Sequence, residues 1–190
     1  MDFTSQPIRL PESLTDGIVV LDAHPLADAR AHWQGEDDEM RLRFESPSRP
    51  TLEQTRASIG RWMAARAAGG PMIAYALRDS SGVLMGGCEI RPLSPERANL
   101  SYWVFPAFRS RGHAIRALML LSEAAAAAIE DLQHLEAHVD ADNRASRRVA
   151  ERAGFVEAGV VMDEARDGAP SNRILYIRPV ASDPPAKGAS

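Results

Sequence analysis

Hydrophobic and polar positions alternate along this chain with two periods, and the switch between them marks its elements. Ile18 to Leu21 is a short apolar run of strand character, and Asp22 to Pro25 turns the chain. A short helix is predicted from about Leu26 to Trp33, while Glu36 to Arg43, acidic and then basic, carries no readable period. Thr51 and Gln54, just after Pro50, form a capping-box start for a helix that presents Leu52, Ile59, Trp62 and Met63 and stops at Gly69, Gly70 and Pro71. Met72 to Leu77 and Val83 to Ile90 are apolar runs on either side of the turn residues Asp79 to Gly82, which predicts an antiparallel hairpin. A second turn, Pro92 to Glu96, leads to the aromatic and β-branched run Leu100 to Phe105, closed by Pro106.

Beyond Pro106 the period lengthens. Ile115, Leu118, Met119, Ala126 and Ile129 recur at helical spacing, and the alanine run Ala124 to Ala128 favours a helix ending near Asp131. Leu135, Ala137 and Val139 alternate with Glu136, His138 and Asp140, the mark of a strand. Asn143 opens a short helix, Ala145 to Arg152, that stops at Gly154. Phe155 to Met162 and Arg173 to Pro179 read as a last strand pair. The order β-α-α-β-β-β-α-β-α-β-β predicts an α/β (mixed α+β) fold in which helices cover a central mixed sheet. Residues 1–16 read as an irregular arm, 17–180 as one domain and 181–190 as a disordered tail.

Composition narrows the function classes. Apolar residues make up 45% of the 190 and charged residues 25%, which places the chain among soluble globular proteins. A net charge of -4 argues against a general nucleic-acid binder, whose surface is strongly basic. Cys88 is the only cysteine, so no intrachain disulfide forms, and the N-terminus shows no signal-sequence pattern; a cytoplasmic location is expected. The longest apolar run, near Ala124 to Ile129, falls far short of the roughly 20 residues of a membrane span.

The candidate chemistry sits at Arg109 to Ala114, R-S-R-G-H-A, between the strand-like run and the long helix. The first N–H groups of a helix lack partners within it and carry the positive end of its dipole, so a phosphate satisfies both. Gly112 lets such a ligand approach the backbone, and Arg109, Arg111 and Arg116 bring full charges to the same end.

R-S-R-G-H-A is similar to the Q/R-x-x-G-x-G/A acyl-CoA motif of the GNAT superfamily of N-acyltransferases. N-R-A-S-R-R-V-A-E-R-A-G-F, Asn143 to Phe155, resembles that family's later helix segment ending in Gly-Phe. Together with Y-W-V-F-P-A-F-R-S-R-G, these stretches most resemble the branch of the ribosomal-protein N-terminal acetyltransferases, over residues 17 to 180. The resemblance implies a GNAT fold, with a mostly antiparallel sheet of six to seven strands and about four helices. It implies acetyl-CoA as co-substrate, no metal, and an amine acceptor: a protein N-terminus or a small-molecule amine. Homodimers are common among such proteins.

Residue by residue, the resemblance places the CoA pyrophosphate on the amides of Arg111, Gly112, His113 and Ala114, with Arg109 and Arg111 supplying charge. Trp103, Val104 and Phe105 line the pantetheine arm, and the acyl carbonyl is polarised by a main-chain N–H near Val104 or Phe105. Asn143 hydrogen-bonds the pantetheine, and Ser146 meets the departing sulfur. Relatives often carry a tyrosine acid where this chain has Ala150. The base that deprotonates the amine is open among Glu89, Glu164 and a water chain. The acidic cluster Glu36, Asp37, Asp38 and Glu39 would border the acceptor entrance and favour a cationic amine by steering.

Other readings compete. A non-catalytic acyl-CoA sensor fits the missing tyrosine, whereas a nucleotide-binding protein fits poorly, since no G-K-[ST] follows Gly112. His134 and His138, on one strand face, would lie about 13 Å apart and form no metal pair. Cys88 reads as a small buried side chain, and Arg144, Arg147 and Arg148 as a solvated helix face.

Overall fold

The chain, as a computed structural model, is described over residues 7–43, 48–164 and 170–180, with the side chains at 163, 164, 170 and 171 outside the described residues. The N-terminal half runs β1 (Ser13–Thr15), β2 (Val19–Asp22), a 3-10 turn (Leu26–Asp28) into α1 (Ala29–Gly35), α2 (Asp38–Arg43), α3 (Leu52–Ala68), β3 (Ile73–Asp79) and β4 (Leu84–Ser94). The C-terminal half runs β5 (Arg97–Val104), α4 (His113–Ala128), β6 (His134–Asp140), α5 (Arg144–Arg152), β7 (Val156–Glu164) and β8 (Pro170–Pro179). One sheet forms in the order β1-β2-β3-β4-β5-β6-β8-β7, and β5 with β6 is its only parallel pair among the described residues.

Among the described residues, eight strands and five helices exceed the expected six to seven and four. The additions are β1, within the stretch read as an irregular arm, and α2, within the unassigned one. Three residues are too few to display a period, and β1 exists because Asp16 closes its turn by accepting from the Ile18 and Val19 amides. α2 buries only Met40 and depends on its ends. Asp37 accepts from the Met40 amide, Asp38 and Glu39 lie at the positive end of the helix dipole, and Arg41 and Arg43 at the negative end. α3 starts as predicted. Thr51 and Gln54 bond each other's backbone N–H at 2.8 and 3.1 Å, and Gly69 ends the helix in the left-handed conformation. None of the described helices is long and apolar enough to cross a membrane.

The sheet buries both faces. On one, Ala117, Leu118, Leu121 and Ala125 of α4 pack against Tyr75, Cys88, Leu100 and Leu135. On the other, Trp103 of β5 and Phe105 just beyond it meet Met40, Leu84 and Trp62. Gly86 and Gly87 of β4 make room for that cluster: a Cβ on Gly87 would overlap the Trp103 indole, and one on Gly86 the Trp103 carbonyl oxygen.

The second face also holds an unusual row of polar groups. His24, Asp28, His32 and Glu36 recur every four residues, so the turn into α1 and α1 itself place them on one side. His24 Nδ1 lies 3.1 Å from Asp28 Oδ2, which also accepts from Arg78 at 2.6 Å, and His32 Nδ1 lies 3.2 Å from Glu36 Oε1. The two imidazoles are buried, with ring centroids 5.8 Å apart, against Trp62, Trp103 and Phe105. Burial pulls the His24 pKa down, the Asp28 hydrogen bond opposes it, and the neighbouring His32 and Arg78 add to the fall. The net value lies below the usual imidazole range, so the native state holds His24 neutral.

Two expectations follow from this packing. Gly86→Ala should cost more than about 1 kcal/mol by overpacking against β5, read as a lower urea midpoint at unchanged m. Because the unfolded chain protonates His24 before the native state does, this contribution is present above the unfolded pKa of about 6.5 and is lost as pH falls below it. Thermal unfolding between about pH 5 and 8 should show that loss. His24→Asn, which keeps a donor for Asp28, should flatten it.

Candidate active site

β5 and β6 run together for only three residues, Arg97–Asn99 beside His134–Glu136. Beyond Asn99 they separate and leave a cleft of about 570 Å³, whose walls include Ser101, Tyr102, Trp103 and Val104 on one side and His138, Asn143 and Ser146 on the other. The opposite edge of β5 stays in its ladder with β4, where the Phe105 amide donates to the Met85 carbonyl at 2.8 Å. Antiparallel pairing alternates, so Trp103 and Phe105 turn their main-chain groups toward β4, and Tyr102 and Val104 turn theirs toward the cleft. The Phe105 amide is therefore committed to the sheet and its side chain to the core, which leaves Val104 of the two expected polarising donors.

A 3-10 turn at Pro106–Phe108 leads from β5 to the glycine turn. Ser110 has φ 62° and Gly112 φ 82°, and α4 starts at His113. A Cβ on Gly112 would meet nothing within 4 Å, so the glycine is required by its backbone conformation and not by crowding. The Arg116 amide makes the helix's first bond, to the Gly112 carbonyl at 3.2 Å. The amides of His113, Ala114 and Ile115 then have no acceptor within the helix and face the cleft end with the positive pole of its dipole.

The arginines differ from expectation. Arg109 donates to the Val104 carbonyl at 3.0 Å and is held by Asp37 and Glu39 at 2.8 Å each, and Arg116 is held by Asp16 at 2.6 Å. Both charges are thus neutralised within the fold, and only Arg111, exposed at the turn, has no carboxylate partner among the described residues. His113 lines the cleft with its Nδ1 buried and unbonded. Burial first, then the Arg111 and Arg116 charges, hold its pKa below the usual range.

Across the cleft, Asn143 caps α5 by accepting from the Ser146 amide at 3.0 Å. That directs its side-chain oxygen at the helix and leaves its NH₂ as the group to meet a ligand. The Ser146 Oγ lies 2.8 Å from the Tyr102 hydroxyl. Burial pushes the Tyr102 pKa up to about 12, against a small opposing effect of that hydrogen bond. Ala150, one turn on, is buried. Arg148, expected on a solvated face, lines the cleft, whereas Arg147 is tied to Tyr176 and Glu157.

His138 also lines the cleft, with its Nε2 3.0 Å from a carboxylate oxygen of Glu136. Glu136 is 3% exposed and further bound by Arg97 at 3.1 Å and His134 at 3.4 Å. The two histidines share the Glu136 carboxylate, and no metal-binding cluster exists among the described residues. Glu89 pairs across the ladder with Ser101, a cleft residue, and lies 3.5 Å from Arg91. Glu164 ends β7, and its side chain lies outside the described residues. Cys88 is fully buried, and burial raises its thiol pKa, so it is no nucleophile.

Each carboxylate of the acidic cluster has a partner: Asp37 and Glu39 hold Arg109, Asp38 holds Arg41 at 2.7 Å, and Glu36 faces His32. At the other end of α2, Arg43 reaches Asp140 at 3.2 Å and Asp142 at 2.7 Å. α2 is therefore fastened to both walls of the cleft, through Arg109 after β5 and through the end of β6. Tyr102, His138 and Arg43 were not singled out from the sequence as site residues. The alternation of β5 and β6 was the available signal for the first two, and nothing local announced the third.

The arrangement has counterparts. The sequence profile of the acetyltransferase (GNAT) domain matches residues 19–156. No protein of curated function matches the sequence. Among solved structures, the microcin C7 self-immunity acetyltransferase MccE, in complex with acetyl-CoA and AMP, superimposes with a TM-score of 0.74 at 16% identity, over 87% of this chain and 94% of that one. The ribosomal L7/L12 α-N-protein acetyltransferase RimL, in complex with coenzyme A, gives 0.73 at 20% identity, over 94% and 100%. RimJ of Mycobacterium smegmatis gives 0.72 at 23% identity, over 92% and 86%. With the parted strands, the glycine turn and a profile match across most of its length, the chain belongs to the acetyltransferase (GNAT) family.

Proposed function

We propose that this GNAT N-acetyltransferase moves an acetyl group from acetyl-CoA directly to a primary amine within a ternary complex, with no covalent enzyme intermediate. The observation that carries this reading is the open edge of β5. Its Val104 amide faces the cleft in line with the unpaired amides at the start of α4, so one extended ligand can bond the strand and set its phosphates on the helix. The site fits such a donor in other respects: His113 Nδ1 is a buried polar atom without a partner, and Arg111 supplies charge at the turn. The RimL complex with coenzyme A, the RimJ complex with CoA-disulfide and the MccE complex with acetyl-CoA support it.

Bound acetyl-CoA supplies an activated thioester. Val104 N–H stabilises negative charge developing on its oxygen, a donor fixed in advance by the ladder with β4. Asn143 orients the pantetheine arm through its NH₂. Tyr102 and Ser146 lie on the α4 side of the sheet, and Ser101 and Trp103 on the other, so leaving group and amine are handled on opposite faces. Two groups are placed to take the amine proton: Glu89, through water beside Ser101, and His138, which lines the cleft and is oriented by Glu136. The acceptor is a protein N-terminus or a small-molecule amine. The carboxylates of α2 are already paired and supply no reason to expect it to be cationic beyond its own ammonium.

Calorimetric titration with acetyl-CoA tests the donor site. Ser110→Asp sets a negative charge at the glycine turn without removing a glycine, and aspartate tolerates the left-handed conformation found there. It should weaken binding at least about tenfold with unchanged melting temperature, by repelling phosphate. A well-folded parent that does not bind acetyl-CoA would overturn the reading, and binding without CoA release on any of a panel of amines would favour a sensor. In the turnover assay, Glu89→Gln or His138→Gln, whichever removes the base, should lower kcat/KM about 100-fold and abolish the acid limb of the pH profile. Parent-like profiles from both would move the role to Glu164 or solvent.

A further inference from the structure

We propose that Tyr102 is a positioning residue that turns the Ser146 hydroxyl toward the departing sulfur, so that two hydroxyls in series stabilise the thiolate by hydrogen bonding. The inference rests on the donor site proposed above. Its starting point is the 2.8 Å contact between Tyr102 and Ser146, two cleft residues 44 positions apart on β5 and α5.

Each hydroxyl has one hydrogen to give. Tyr102 is partly buried, its ring packed against the main core, and its hydroxyl has no other hydrogen-bond partner among the described residues. A phenol is the more acidic of the two hydroxyls and the stronger donor, and a serine oxygen is the better acceptor, so Tyr102 donates to Ser146. The Ser146 hydrogen is then free to point into the cleft that both residues line. Ser146 is itself held in place, because its amide is bound by the Asn143 cap. No side chain hydroxyl follows one turn later, where Ala150 presents a buried methyl.

Magnitudes decide between hydrogen bonding and acid catalysis. A free thiol ionises near 8.5, and burial sets Tyr102 at about 12, so moving its proton to the thiolate would be uphill by more than about three pKa units. The sulfur therefore leaves as thiolate. The N–C bond forms as the C–S bond breaks with its electron pair on sulfur, the amine proton goes to the base, and the thiolate takes a proton from solvent after release. Tyr102 keeps its own proton throughout and acts by polarising Ser146.

Free CoA provides a test that does not need turnover. Its thiol ionises between about pH 7 and 9.5, and the thiolate is the better acceptor, so a Ser146 hydrogen aimed at it should tighten CoA binding about tenfold over that interval. Desulfo-CoA, measured alongside, should show no such gain. Ser146→Ala should lose the gain and Tyr102→Phe most of it, with CoA affinity at about pH 7 and the melting temperature unchanged. In turnover, Tyr102→Phe should lower kcat about tenfold at constant KM for acetyl-CoA. A Tyr102→Phe protein with the parent's pH-dependent gain overturns the proposal, as does a parent whose CoA and desulfo-CoA affinities follow the same pH course. Failure of the parent to bind CoA at any pH refutes the donor site itself and is a separate outcome.

Discussion

The arrangement depends on how briefly β5 and β6 are joined. Three residues on each strand suffice to lock the halves of the sheet in parallel register, and further pairing would close the β5 edge that faces the cleft. An unpaired strand edge inside a protein is a liability, because its N–H and C=O groups lose water without gaining partners. On the proposed reading the edge is a binding surface whose groups an extended ligand completes. The glycine turn continues the same logic, since the first amides of α4 are unpaired for reasons of helix geometry and lie at the end of the same cleft.

Charge is used mainly to hold this opening in shape. Arg109 lies within the motif that points to phosphate, yet its guanidinium bonds the Val104 carbonyl and two carboxylates of the α2 region. Arg43 makes the matching connection to Asp140 and Asp142. Partly exposed ion pairs are each worth little in stability, but these four contacts fix a short helix that buries one methionine. In the proposed donor site, phosphate would then be met largely by neutral dipoles, the helix start and its oriented amides, with Arg111 as the nearby charge.

The second face shows a different economy of polar groups. Neutral His24 and its neighbour His32, stacked among indoles and backed by Asp28 and Glu36, occupy ground that apolar side chains could fill. Each carboxylate partner follows its histidine by four residues on the same side of the turn and α1. The row ends at Glu36, beside the segment that fastens α2, so the packing behind Trp103 and the position of α2 are mechanically continuous.

Much of the fold was legible in local pattern. Alternation announced β4, β5 and β6, the Thr51–Gln54 box marked the start of α3, and a glycine between strand and helix marked the start of α4. These features depend on neighbours within a few residues, which a sequence displays directly. β1 and α2 were not legible, because one is too short for a period and the other is held by arginines and carboxylates 70 or more positions apart. The same limit applied inside the site. Local reading named Ser146, Asn143 and Val104, but which hydroxyl faces Ser146, which arginine is neutralised and which strand amide is free depend on side chains and edges brought together across the sheet. The sequence by itself determined the family, most of the elements and the place of the glycine turn before α4. Tertiary structure alone decided how the polar groups are partnered, because hydrogen bonds and ion pairs between distant segments depend on distances that no local spacing encodes.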